Sequence, residues 1–137
     1  MNKKDALKSL AGLLESFICH RRLINELMGI VSGSGIELRF FELLLTRLQF
    51  LSKHGRFASS SQGHKEFECI NDTISSMHLA GNGFNVRILY AFLSDEAPVL
   101  LLAFYEREGK RKTNYSTYIT PATERLKEME NEDNEQE

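Results

Sequence analysis

Cysteine is scarce in this chain, long apolar runs are absent, and the short signatures of several large enzyme classes are missing. The two cysteines, Cys19 and Cys69, lie far apart with no CxxC or Cys/His ligand spacing around either, which argues against a zinc site. Both are expected to be reduced, buried and to pack as small apolar residues. No apolar run reaches the roughly eighteen residues of a membrane span, and the first residues carry no secretory pattern, so a cytoplasmic location without membrane partners is expected. There is no glycine-rich phosphate loop, no GxSxG, no HExxH and no acidic pair spaced for two-metal work. Chemistry without metal or cofactor is what these absences leave.

What is present fits one small domain. The chain has 137 residues, 42% hydrophobic and 26% charged, enough for a single modest core. Its formal charge of −2 hides an uneven distribution. Residues 128–137 hold six acids and no base, so residues 1–127 carry 17 bases against 13 acids, a charge of +4. The expected organisation is a domain over 1–127 followed by an acidic tail over 128–137 that lacks an apolar period. Such a tail either frays or competes electrostatically for a basic surface.

From Asp5 to about Val31 the apolar residues Leu7, Leu10, Leu14, Phe17, Ile18, Ile24, Leu27 and Met28 recur at helical spacing. Ser32-Gly33-Ser34-Gly35 breaks that pattern, and Phe40, Phe41, Leu44, Leu45, Leu48 and Leu51 begin a second helix that Gly55 stops. Two helices and a short loop predict a helical hairpin. After the polar stretch Ser59 to Gly63 the pattern turns to strands. Ile74 to Leu79 and Asn85 to Leu93 flank a hairpin turn of the Asn-Gly type at Ala80-Gly81-Asn82-Gly83. Val99 to Tyr105 is apolar on both faces, as a doubly covered central strand or a strand facing a cleft would be. Pro121 is expected to open a last helix running through Glu130.

Alternation along the strands places Val86, Ile88, Tyr90 and Phe92 on one face and Arg87, Leu89 and Ala91 on the other. Met77 and Leu79 join the core face, which leaves Ser76 and His78 beside Arg87. The following segment supplies Arg107, Lys110, Arg111, Lys112, Tyr115 and Tyr118, cations interleaved with aromatics as phosphate contact and base stacking require. Plainer roles compete. Arg87 has Glu106, Glu66 and Glu68 available as ion-pair partners, Lys110 to Lys112 read equally as a solvated turn, and a lone His78 suits a structural hydrogen bond. Tyr115 and Tyr118 either join the surface or pack the last helix on the sheet. RNA is cleavable by such groups alone, because its 2′-hydroxyl attacks the adjacent phosphate once it is deprotonated and the developing charge is stabilised.

Four pieces in order, Asn85-Val-Arg-Ile-Leu-Tyr-Ala-Phe92, Val99-Leu-Leu-Leu-Ala-Phe-Tyr-Glu-Arg107, Gly109-Lys-Arg-Lys-Thr113 and Ala122 with Arg125, resemble the RelE/ParE toxins of the HigB-like, phage-associated branch. Their counterparts there are an arginine-bearing "YRVLY" strand, an apolar strand ending "FxKK", a "KTP"-like turn and an "AxxR" helix start, with Ile74 to Leu79 like the preceding strand. The resemblance implies an α+β fold: an N-terminal helical hairpin packed on a small antiparallel sheet of three to four strands, then a C-terminal helix. Residues 1–35 would form the N-terminal helix and loop and 36–127 the family core. Because the family opens on a strand and this chain on a helix, the sheet is expected to lack an edge strand.

The same resemblance implies a type II toxin-antitoxin toxin, expected to act as a ribosome-dependent mRNA endonuclease. Its partners are mRNA, the ribosome and a cognate antitoxin of helix-turn-helix type, in a homodimer or a heterotetramer with the antitoxin. The catalytic residues so implied are Arg87, matching the arginine at the scissile phosphate, His78, a base on the preceding strand, Arg107, from the cationic run after the last strand, and Tyr115 or Tyr118, a stacking or orienting aromatic, with Lys110, Arg111 and Lys112 binding RNA. No metal or cofactor is implied. Glu106 and Glu108 stand where the family is basic, which keeps a second reading open: a toxin-like binding protein without nuclease activity, either a gyrase inhibitor or an inactive phage-associated remnant. A third is a helical interaction domain that binds through Leu7 to Met28.

Overall fold

The computed structural model describes residues 1–60, 65–94, 96–106 and 115–135. The element order is α1 (Lys3–Leu14), β1 (Ile18–Cys19), α2 (Leu23–Val31), α3 (Glu37–His54), a 3-10 segment (Gly55–Ser60), β2 (Phe67–Cys69), β3 (Ser75–Gly81), β4 (Phe84–Phe92), β5 (Pro98–Tyr105) and α4 (Ser116–Glu135). The strands form one mixed sheet in the order β1-β5-β4-β3-β2. Helices α1 to α3 cover one face and α4 the other, and each face has its own core. The class is therefore α+β, with five strands rather than three or four.

The first helical run is not continuous. Asn2 caps α1 by accepting from the Asp5 amide, and the helix ends at Leu14. Ile18 and Cys19 then pair in parallel with Val99 and Leu100 of β5, and the His20 amide donates to the Leu100 carbonyl at 2.8 Å. An unpaired edge of β5 would leave backbone groups unsatisfied, and this demand overrides the helical period. The expectation of a missing edge strand is thus corrected: β1 supplies one, placed after the first helix rather than before it.

Beyond β1 the same edge of β5 is completed by side chains. Glu26 of α2 accepts from the Ala103 amide at 3.1 Å, and Arg125 of α4 donates to the Leu101 carbonyl at 2.9 Å. Arg125 and Glu26 also bind each other through two contacts of 2.7 Å. Helix α3 behaves as its period predicts, burying Phe40, Phe41, Leu44, Leu48 and Leu51 and ending at Gly55, whose φ of 54° favours glycine.

The β3–β4 turn is Asn82-Gly83, flanked by the pair Gly81 and Phe84. Gly83 takes a φ of 94°. A bulge lies where Leu89 faces Leu102 while Tyr90 faces Leu100, leaving Leu101 as the extra residue. Strand β5 is buried on both faces from Val99 to Phe104, as a doubly covered strand should be.

Two further expectations are revised. Pro121 lies inside α4 rather than at its start, because Tyr115, Tyr118 and Ile119 pack on the sheet and carry the helix back to Ser116. Cys69 is exposed, since it ends the edge strand β2, while Cys19 is partly buried. Burial pushes the Cys19 thiol up to about 11.

Candidate functional site

Antiparallel pairing sets His78 of β3 directly opposite Arg87 of β4. Directly opposed residues point to the same face, and here that face is the one α4 partly covers. One step toward the hairpin turn, the Glu106 amide donates to the Asn85 carbonyl at 2.8 Å, which carries the β4–β5 ladder past the end of β5. Glu106 therefore has the parity of Phe104 and Arg87. On the outer side Glu68 of β2 pairs with Ser76 of β3. His78, Arg87, Asn85, Glu106, Ser76 and Glu68 thus converge from four consecutive strands or strand ends.

Their contacts are ionic and dense. Arg87 Nε donates to Glu106 Oε2 at 2.8 Å, and its Nη1 lies 3.7 Å from Glu68 Oε2. His78 Nε2 is hydrogen-bonded to the Asn85 side chain and lies 3.9 Å from the same Glu106 oxygen. Arg87 and Glu106 are largely shielded, with 13% and 11% of their side chains exposed, whereas Glu68 is 53% exposed. The Arg87–Glu106 pair is consequently screened little by solvent and the Arg87–Glu68 pair strongly.

Tyr115, the residue before α4, closes the outer side. Its hydroxyl donates to Glu68 Oε2 at 2.9 Å, and the Arg87 guanidinium lies 5.7 Å from its ring centre. Burial raises the Tyr115 pKa, and the nearby Ser76 hydroxyl and the Arg87 charge act in the opposite direction. Ser76 is fully buried. Although its hydroxyl favours Tyr115 ionisation, the two groups do not align as a hydrogen bond, and Ser76 Oγ has no partner among the described residues.

Of the residues singled out in the sequence, His78, Arg87 and Tyr115 are brought together. Tyr118 lies one layer inward, stacked on Phe104 with ring centres 3.8 Å apart and planes 7° from parallel. It takes the packing role. Arg107, Lys110, Arg111 and Lys112 lie outside the described residues. Arg87 has two of its three anticipated carboxylates, Glu106 and Glu68, while Glu66 lies 3.9 Å from Arg47. Arg47 also donates to the His78 carbonyl at 3.0 Å, fixing β3 against α3.

Glu106, an acid where the resembled family is basic and one of the partners open to Arg87 in the sequence, is the hub that Arg87 and His78 share. The signal was available in the strand period, because Glu106 follows Phe104 by two. Glu68 was among the partners open to Arg87 in the sequence, and the β2–β3 pairing places it; Asn85 is recoverable only from the register. Among the described residues no group of three histidine, cysteine or acidic side chains is placed to hold a metal ion, and no helix is long and apolar enough to cross a membrane. Comparison of the chain with protein-family models, curated proteins and solved structures finds no match in any of the three.

Proposed function

We propose that the chain is the toxin of a type II toxin-antitoxin system, of RelE/ParE type, and that it cleaves mRNA at the His78–Arg87–Glu106 cluster. The observation that carries this reading is the single Glu106 oxygen shared by Arg87 at 2.8 Å and His78 at 3.9 Å. Cleavage by transphosphorylation needs a base, an acid and a cation at one phosphate, and these three side chains supply them. One of the Glu106–His78 couple takes the proton of the 2′-hydroxyl as O2′ bonds to phosphorus. The other protonates the departing 5′-oxygen as its bond to phosphorus breaks. Arg87 stabilises the charge on the non-bridging oxygens, and the exposed edge of Tyr115 offers a surface for a base. The ribosome would present the mRNA and a cognate antitoxin would cover this face.

Induced expression of wild type and Arg87→Ala, followed by primer extension on cellular mRNA, tests this reading. Growth arrest with new codon-linked 5′ ends, both lost in a folded Arg87→Ala protein, is the expected outcome. The second reading, a toxin-like binder without nuclease activity, is favoured by the occupation of Arg87 by two carboxylates. Arrest without new 5′ ends would select it.

A further inference from the structure

Two acids contact Arg87, and they are not equivalent. Glu106 is shielded and shared with His78, whereas Glu68 is half exposed and reaches the guanidinium only at 3.7 Å. The same Glu68 oxygen accepts from the Tyr115 hydroxyl. Pairing of Glu68 with Ser76 across β2 and β3 brings the buried, unpartnered Ser76 hydroxyl to the same spot. A buried hydroxyl without a partner is uncommon and calls for an occupant. A guanidinium and a phenol lie at one carboxylate oxygen, and with the unused Ser76 hydroxyl on the paired strand they form a donor set with more capacity than that carboxylate uses. A tetrahedral phosphate, with more acceptor oxygens and a geometry matched to guanidinium, uses such a set better.

We infer that Glu68 is an intramolecular stand-in for phosphate: its carboxylate fills an oxyanion site walled by Arg87, Tyr115 and Ser76, and a phosphate of single-stranded RNA displaces it. The inference rests on the RNA-directed reading and adds its regulation, since the protein carries a competitor for its own substrate. Displacement is feasible because an ion pair this exposed is worth little. The Glu68 carboxylate then swings to solvent while Glu106 keeps its place beside His78.

The test compares wild type, Glu68→Gln and Glu42→Gln by fluorescence anisotropy with a labelled, 2′-O-methylated single-stranded oligoribonucleotide, which binds but cannot be cut. In parallel, inorganic phosphate is titrated while the Tyr115 ring signals are followed by NMR. Glutamine at 68 still accepts from Tyr115, so the local fold is kept. Glu42 is likewise an exposed acid, on α3 across the sheet, and controls for overall charge. Glu68→Gln should bind the oligonucleotide about tenfold more tightly than wild type at low salt, with a log–log salt slope steeper by about 0.7, one added phosphate contact on a single strand. Glu42→Gln should match wild type, and adding Arg87→Gln should abolish the gain.

Tightening for phosphate alone would assign the same site to a free phosphate rather than to RNA. Equal affinities for Glu68→Gln and Glu42→Gln, or a gain that survives Arg87→Gln, would overturn the inference. Because the readout is binding, it separates from the nuclease proposal. Cleavage in cells with no Glu68 effect sinks only this inference, and a Glu68 effect without cleavage sinks only the other.

Discussion

Arg125 of α4 and Glu26 of α2 form a bidentate pair, with both contacts at 2.7 Å, across the edge of β5. Each also completes a backbone group of that strand. Removing either leaves the other charge, and a β5 amide or carbonyl, without its partner. Arg125→Ala and Glu26→Ala should each cost about 2–3 kcal/mol in urea unfolding, toward the low end for a broken buried pair because 27% of the Glu26 side chain is exposed. Arg125→Lys should recover less than half, since an ammonium cannot reproduce the two-pronged contact.

The acid side of the stability profile should depend on Glu128. His20 Nε2 lies 2.8 Å from its carboxylate, while His20 Nδ1 accepts from the Arg22 amide and so leaves the proton on Nε2 to donate. This hydrogen bond holds the Glu128 pKa below its ordinary value of 4.5. A depressed folded-state pKa means the native protein binds fewer protons than the unfolded chain in that range. The contribution is complete above about pH 4.5 and is lost as pH falls through the lower folded value. Melting temperatures measured from neutral pH down to about pH 3 should therefore fall less steeply in Glu128→Gln than in wild type.

Tyr115 and Tyr118 should separate by experiment. Tyr118→Ala removes the ring stacked on Phe104 and should lower stability by about 2–4 kcal/mol in urea unfolding. Tyr118→Phe keeps the stack and should leave stability and RNA binding unchanged. Tyr115→Phe keeps its ring but loses the Glu68 contact, so the change should appear in RNA affinity measured by anisotropy with little effect on stability.

Thiol labelling should distinguish the cysteines. Cys69 is exposed and should react with a maleimide in the folded protein at pH 7. Cys19, partly buried and with its thiol pushed up to about 11, should react only on unfolding. Mass spectrometry of native and urea-treated samples counts the adducts.

The strand period places His78 and Arg87 on one face, and of the carboxylates Glu106, Glu66 and Glu68 open to Arg87 the structure pairs the first and the last with it. The shared face of His78 and Arg87 needs only local alternation. Where the reading went astray, a long-range demand outweighed local preference. Ile18 and Cys19 carry a helical period but satisfy the edge of β5, and Pro121 suits a helix start but is overtaken by tyrosines packing on Phe104. Cys69 is of a residue type common in cores, yet it ends the edge strand β2, where only Phe67 is buried. None of these is visible until the sheet order β1-β5-β4-β3-β2 is known.

The pairing of Ile18 with Val99 and of His20 with Glu128 joins the opening third of the chain to its last helix across a separation as large as 108 residues. A polypeptide emerging stepwise from the ribosome cannot make those contacts until Val99 and Glu128 have been synthesised. The three N-terminal helices must therefore wait, with part of their apolar surface uncovered, for strands β2 to β5 to arrive. The sheet face bearing His78, Arg87 and Glu106 therefore stands without its α4 cover until residues 115–135 have followed β5 out of the ribosome.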